Sequence, residues 1–242
     1  MTMIDKTAVP VAFSGDGFRR GAVRTLPLVA GLAPFGLVAG IVAQGHGLSL
    51  GETILMNASV FAGAAQLLAL SHWSNPAPVL GATVTAFVVN LRMALMGPVL
   101  APWLAHLRGW RLWGSLFFLV DHGWALSVAD MRAGGRDAGF FAGCGVSLWV
   151  AWTLSSAVGY GVGQTLQPAP DHPIFFAALA AFVCLLVPLW RGARDFLPWL
   201  VAAATAIAVS KLLPNSTWYV IAGALAGAGT GALRDMIGIS RP

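Results

Sequence analysis

The sequence predicts an all-α fold, a polytopic transmembrane helical bundle of about eight spans, with seven as the alternative. Two observations of composition carry this, and a third of pattern. Of 242 residues, 57% are hydrophobic and only 10% are charged, whereas a soluble domain carries about a quarter charged residues to keep its surface wetted. The mean hydropathy is +0.77. The apolar residues form long runs without period-two alternation, which excludes a β-barrel and leaves helices as the elements that satisfy their own backbone in lipid.

A helical span needs about 20 mostly apolar residues. The runs that qualify are 24–44, 51–70, 79–100, 113–129, 139–163, 173–190, 196–213 and 218–233. The fourth and eighth are short, and in the seven-span alternative one segment is re-entrant. Residues 1–21 read as a cytoplasmic tail without a signal-peptide core, 22–233 as a single transport domain, and 234–242 as a short C-terminal tail.

The first run reads GLAPFGLVAGIVAQG, with Pro34 flanked by Gly31, Gly36 and Gly40. Proline removes a backbone donor and clashes with the preceding turn, so a kink or break is expected near Pro34. Two readings stand: a packing kink, or a discontinuous helix whose freed backbone groups, with Gly36 and Gly40 beside them, line a substrate site. In the second run, Ser59, Gly63 and Gln66 share one helical face at i, i+4, i+7. In the third, Thr83 and Asn90 share a face. Such groups either glue helices together or hold a zwitterion between amides and apolar walls.

Ionisable groups deep in a span cost about 2.5–3.5 kcal/mol or more each. Only Arg92 and Asp121 lie well inside the runs. If runs three and four form an antiparallel hairpin about 101–112, the two fall at matching depth and pair, or face one water-filled cavity, for structure or for charge coupling. His122, next to Asp121, either hydrogen-bonds in packing or relays protons. Glu52 and Lys211 lie near span ends, where long side chains reach the headgroups.

Loop charge orients the bundle. Lys6, Arg19, Arg20 and Arg24, then Arg132 and Arg136, Arg191 and Arg194, and finally Arg234 and Arg241 cluster in alternate connections, while 45–50, 164–172 and 214–217 carry no Lys or Arg. Eight spans with both termini cytoplasmic satisfy the positive-inside rule at all of these. The segment 101–112 disagrees, carrying Arg108 and Arg111 yet facing outward. Either the topology bends there or a neighbouring segment does not cross.

The net charge of +5 is spread over these loops, so no nucleic-acid groove is expected. Cys144 and Cys184 read as buried small hydrophobes. His46, His72, His106, His122 and His172 are dispersed without metal-ligand spacing, so neither a metal nor a cofactor is expected. No nucleophile elbow or phosphate loop argues for an enzyme. A weak echo, Gly36-x3-Gly40 and Gly159-x3-Gly163, fits either an internal duplication or the small-residue spacing of packed helices.

The stretches PFGLVAGIVAQGHGLS, VFAGAAQLLAL, TAFVVNLRMALMGPVLAP, FLVDHGWAL, WVAWTLSSAVGYGVG and FFAALAAFVCLLVPL resemble the azaleucine-resistance (AzlC) family over about 21–233. FAGAAQ and VNLR are the specific blocks. The resemblance implies the large subunit of an exporter for valine, leucine, isoleucine or related neutral amino acids in the bacterial cytoplasmic (inner) membrane. It further implies a small membrane partner of the AzlD type and coupling to protons. Where relatives commonly carry an acidic pair in the fourth run, this chain reads Asp121-His122. The rival readings are a passive channel or a non-catalytic assembly subunit and, more remotely, a membrane-integral enzyme.

Overall fold

The computed structural model describes residues 11–71, 73, 79–166, 192–213 and 218–236, with positions 173, 176 and 190. Among the described residues the fold is helical: α1 Gly15–Gly45, α2 Leu50–Val60, α3 Gly63–Ser71 and α4 Val79–Met96 come first. A 3-10 turn, Gly97–Leu100, then leads to α5 Ala101–Leu104, α6 Trp110–Phe117, α7 Asp121–Arg132, α8 Gly139–Leu166, α9 Ala193–Leu212 and α10 Trp218–Met236. An isolated parallel bridge joins Ala12 to Asp137. Helices α1, α8 and α9 are long and apolar enough to cross a membrane.

The spine of the molecule is α1 against α8. Gly21 abuts Phe140 and Cys144, Gly36 abuts Trp152 and Ser155, and Gly40 abuts Ser156, Gly159 and Tyr160. The partner number rises with the α1 number, so the two helices run parallel. A Cβ at Gly40 or Gly159 would overlap the backbone of the facing helix. The Gly36-x3-Gly40 and Gly159-x3-Gly163 spacings therefore face each other across one seam, which gives the sequence echo a packing cause. Asp137 fastens the near end, where both helices start. Its carboxylate accepts from the Ser14 amide (3.1 Å), the Ser14 hydroxyl and the Gly139 amide (2.9 Å), with Arg20 at 4.0 Å.

Parallel helices require the chain to return an odd number of times between them, and among the described helices α4 makes that return. It starts at the far end, where Ala82 and Ala86 face Leu48 and Trp73 across a cavity. It finishes at the near end, where Met93, Met96, Leu100 and Trp103 pack with Phe13, Ala138 and Phe140.

The segments on either side of α4 turn back halfway. A capping box begins α2: the Ser49 hydroxyl accepts from the Glu52 amide, and the Glu52 carboxylate accepts from the Ser49 amide. This helix descends from the far end to Phe61, which takes φ 42° and packs with Phe35, Leu148 and Trp152. Helix α3 then climbs back, placing Leu70 against Ala43 and Leu48. The second hairpin enters from the opposite end. Trp110 stacks edge-on to Phe13 at 6.1 Å and the Arg111 guanidinium lies 5.3 Å from the Phe13 ring centre. Phe118 reaches Trp149 at 5.8 Å, Val120 is extended, and α7 descends again to put Val128 beside Ala138. At 1.5 Å per residue, the 8 to 12 residues of each arm cover about 12–18 Å, short of a hydrocarbon core of roughly 30 Å.

Three expectations change. The runs 51–70 and 113–129 are each two short helices folded back on one another rather than one continuous helix, because each backbone breaks at its middle. Of the kink or break expected at Pro34, no break occurs: α1 continues as helix through Pro27 and Pro34, its following turns held against α8 at Gly36 and Gly40. The segment 101–112 lies at the near end with the start of α1, so Arg108 and Arg111 share that end with Arg19, Arg20, Arg132 and Arg136. The runs 24–44, 79–100, 139–163, 196–213 and 218–233 correspond to α1, α4, α8, α9 and α10, while most of the sixth run, 173–190, lies outside the described residues. Helices α9 and α10 pair antiparallel, with Gly223 and Gly227 against Ala202.

Candidate functional site

The two hairpin tips meet beside the middle of α8, in one apolar cluster that contains Phe35, Phe61, Leu148 and Trp152, with Phe118, Val120 and Trp149 packed on it. Against this greasy centre lies a small set of buried polar side chains. Asn57 at the end of α2, Gln66 in the first turns of α3 and Trp152 of α8 are 1%, 2% and 2% exposed. Gln66 Nε2 donates to Asn57 Oδ1 at 2.9 Å, and the Trp152 indole N–H is shared between Asn57 Oδ1 (2.9 Å) and Gln66 Oε1 (3.0 Å).

Asn57 and Gln66 are nine residues apart. In a continuous helix they would lie about 13 Å apart on opposite faces, so their hydrogen bond exists only because the chain reverses at Phe61. The two donors converging on Asn57 Oδ1 also fix which way its amide points. Its Nδ2 is buried and has no hydrogen-bond partner among the described residues. A second indole, Trp149, donates to the Ala58 carbonyl at 3.1 Å, satisfying a group that the end of α2 leaves open. Two indoles of α8 thus bolt the far-end hairpin to the spine. On the near side, the Trp124 indole donates to the Met96 carbonyl at 3.0 Å and the Trp103 indole to Gly135 at 3.2 Å.

Of the residues singled out from sequence, Gln66 is at the centre of this cluster and Gly63 adjoins it. A Cβ at Gly63 would sit 2.6 Å from the Trp152 ring and 3.0 Å from Phe35. Gly36 and Gly40 belong to the α1–α8 seam, where the Gly36 carbonyl accepts from the Ser156 hydroxyl at 3.1 Å. Ser59 is not brought to Gln66: the break at Phe61 interrupts the i, i+4, i+7 face, and the exposed Ser59 hydroxyl donates back to Leu55 at 2.6 Å. Asn90 lies in α4, half-buried, with an Oδ1 that has no hydrogen-bond partner among the described residues. Asp121 and His122 open α7 directly at the near-side tip. The Arg92 side chain lies outside what the structure describes, and so does its pairing with Asp121.

Sequence reasoning missed Asn57, Trp149 and Trp152. The available signal was an asparagine and a glutamine in one short apolar run, together with tryptophans in mid-helix rather than at its ends. Chemically, the cluster offers amide donors and acceptors in an apolar setting, with the uncapped start of α3 beside it: Phe61 and Ala62 carry no capping side chain, so the first amides of α3 present the positive end of a helix dipole. No group of His, Cys, Asp and Glu suited to a metal occurs among the described residues.

The family described as AzlC protein matches residues 27–166, which contain α8, both hairpins, α4 and α1 from Pro27 onward. A protein of Archaeoglobus fulgidus, described as an uncharacterized membrane protein, is 30% identical over 212 residues, covering 87% of this chain and 92% of its own. No solved structure matches.

Proposed function

We propose a function from one premise: the chain belongs to the AzlC family. In this reading it is the large subunit of an exporter that moves valine, leucine, isoleucine or related neutral amino acids out through the bacterial cytoplasmic membrane. It acts with a small AzlD-type membrane subunit and couples export to protons.

The observation that supports transport is the meeting of two re-entrant hairpins, entered from opposite ends, at a buried polar cluster beside a rigid helix pair. A solute site at mid-depth, reached from one side past one hairpin and from the other side past the second, is what alternating access requires. A passive channel needs no such pair of barriers. In this reading Asp121 and His122, which open α7, carry the coupling charge, and Arg92 is the proposed partner of Asp121. The arginines gathered at the near end favour a cytoplasmic location for it, together with both termini.

The deciding experiment is uptake and efflux of labelled valine, leucine and methionine, with a non-amino-acid control, in vesicles holding this chain with and without its small partner. Accumulation of an amino acid against a gradient, lost when the proton gradient is collapsed, is the expected result. If the complete complex moves no amino acid selectively, the reading fails.

A further inference from the structure

We propose that the cavity between the α2–α3 hairpin and α4 is a binding site for a net-neutral, aliphatic amphiphile, and that Gln66 holds its polar head. Resting on the exporter reading, this assigns the substrate amino acid a location and an orientation.

The cavity measures ≈ 440 Å³, within the range of about 300–1,000 Å³ typical of small-molecule sites. Its walls are Met56, Val60, Ala65 and Ala69 on the hairpin and Ala82 and Ala86 on α4. Four alanines leave room for a branched aliphatic chain where larger side chains would fill the space. Among the described residues the polar groups of the lining are Glu52, Thr83, Gln66 and the Trp73 indole. With one carboxylate and no Lys or Arg among the described lining residues, this wall does not favour an isolated anion.

Gln66 is the inner polar wall. Of its two amide protons and two carbonyl lone pairs, its bonds to Asn57 and Trp152 engage one each, leaving one donor and one acceptor without a partner among the described residues. That is the complement of a zwitterion: the N–H for the carboxylate, the carbonyl for the ammonium. The buried Asn57 Nδ2, unpartnered among the described residues, lies one hydrogen bond behind. Asn57 and Trp152 act as positioning residues, holding the Gln66 amide in one orientation.

The test is calorimetric titration of L-leucine, L-alanine, isocaproate and isoamylamine into the purified full chain with its small partner. It compares wild type with Ala69→Phe, Ala86→Phe and Gln66→Leu. Wild type should bind leucine better than isocaproate or isoamylamine, each of which lacks one end of the zwitterion. Filling the cavity from either wall should weaken leucine at least tenfold and alanine much less, the retained alanine binding showing that the variant is folded. Gln66→Leu should weaken both amino acids at least tenfold. If wild type transports and binds leucine but all three variants bind it unchanged, the location is wrong while the exporter reading stands. If a phospholipid co-purifies with wild type and is lost in both phenylalanine variants without loss of leucine binding, the cavity is a lipid site. If the complete complex neither binds nor moves any amino acid, both fail together.

Discussion

Replacing Trp152 by phenylalanine keeps an aromatic ring in the central cluster but deletes the one N–H that serves two amide oxygens. Asn57 Oδ1 retains its bond from Gln66 Nε2, whereas Gln66 Oε1 loses the partner shown for it while remaining buried. An orphaned buried acceptor costs about 1–3 kcal/mol, and the space left by the smaller ring adds about 1 kcal/mol. The cost falls on the attachment of the α2–α3 hairpin to α8, because the α1–α8 seam is made elsewhere by glycines. A cysteine at Ala62, 5% exposed at the hairpin tip, reports on opening when Cys144 and Cys184 are first replaced by alanine. At 1.4 kcal/mol per tenfold change, destabilising the attachment by about 2 kcal/mol should speed thiol labelling at Ala62→Cys by roughly 30-fold. Replacing Asn57 and Gln66 by leucine in the Trp152→Phe background removes the orphaned Gln66 acceptor together with the unpartnered Asn57 Nδ2 and should return labelling most of the way to the wild-type rate. Labelling within twofold of wild type in Trp152→Phe alone would show that the shared indole does not hold the hairpin.

Two further outcomes follow. Arg108→Cys, in the loop before α6, should react with an impermeant thiol reagent from the same side of the membrane as Arg132→Cys, and His46→Cys from the opposite side; labelling of Arg108→Cys with His46→Cys would make the second hairpin a crossing after all. At Asp137, partial burial pushes the carboxyl upward, but hydrogen bonds from the Ser14 hydroxyl, the Ser14 amide and the Gly139 amide, with the Arg20 charge, outweigh it and hold the group below the usual carboxylate range. Its stabilisation is therefore present above a carboxylate's ordinary value of about 3.9 and is lost as pH falls below that. Melting curves of detergent-solubilised protein should show a fall in Tm on acidification below about pH 4 that is smaller in Asp137→Asn; an identical fall in the two proteins would remove Asp137 as its source.

The long elements were legible and the breaks were not. α1 and α8 announce themselves as apolar runs, and the glycine spacings that face each other at Gly40 and Gly159 are visible in the sequence. Pro34 is the strongest breaker in the chain by local rules, yet the helix runs through it, because the following turns are held by the seam with α8. Phe61 carries no local signal for a left-handed backbone, and its break is enforced from outside by the burial of its ring against Phe35 and Trp152 and by the pairing of Asn57 with Gln66. Hydrophobicity alone cannot separate a crossing from a hairpin of the same length, since both bury the same residues in lipid. The two arginines at Arg108 and Arg111 did carry the distinction, as a charge on what counted as the wrong side. Gln66 was legible as a polar group at depth; Trp152, which holds it, comes from a segment 86 residues later and had no signature in the local pattern.

That separation has a consequence for how the chain is made. Asn57 and Gln66 emerge from the ribosome long before α8, so for the synthesis of some 80 further residues the first hairpin has its own internal amide bond and none of its indole anchors. Helices α4, α6 and α7 are also synthesised before α8, so the docking of α8 on α1 is the step at which the hairpin's polar tip gains its indole partners.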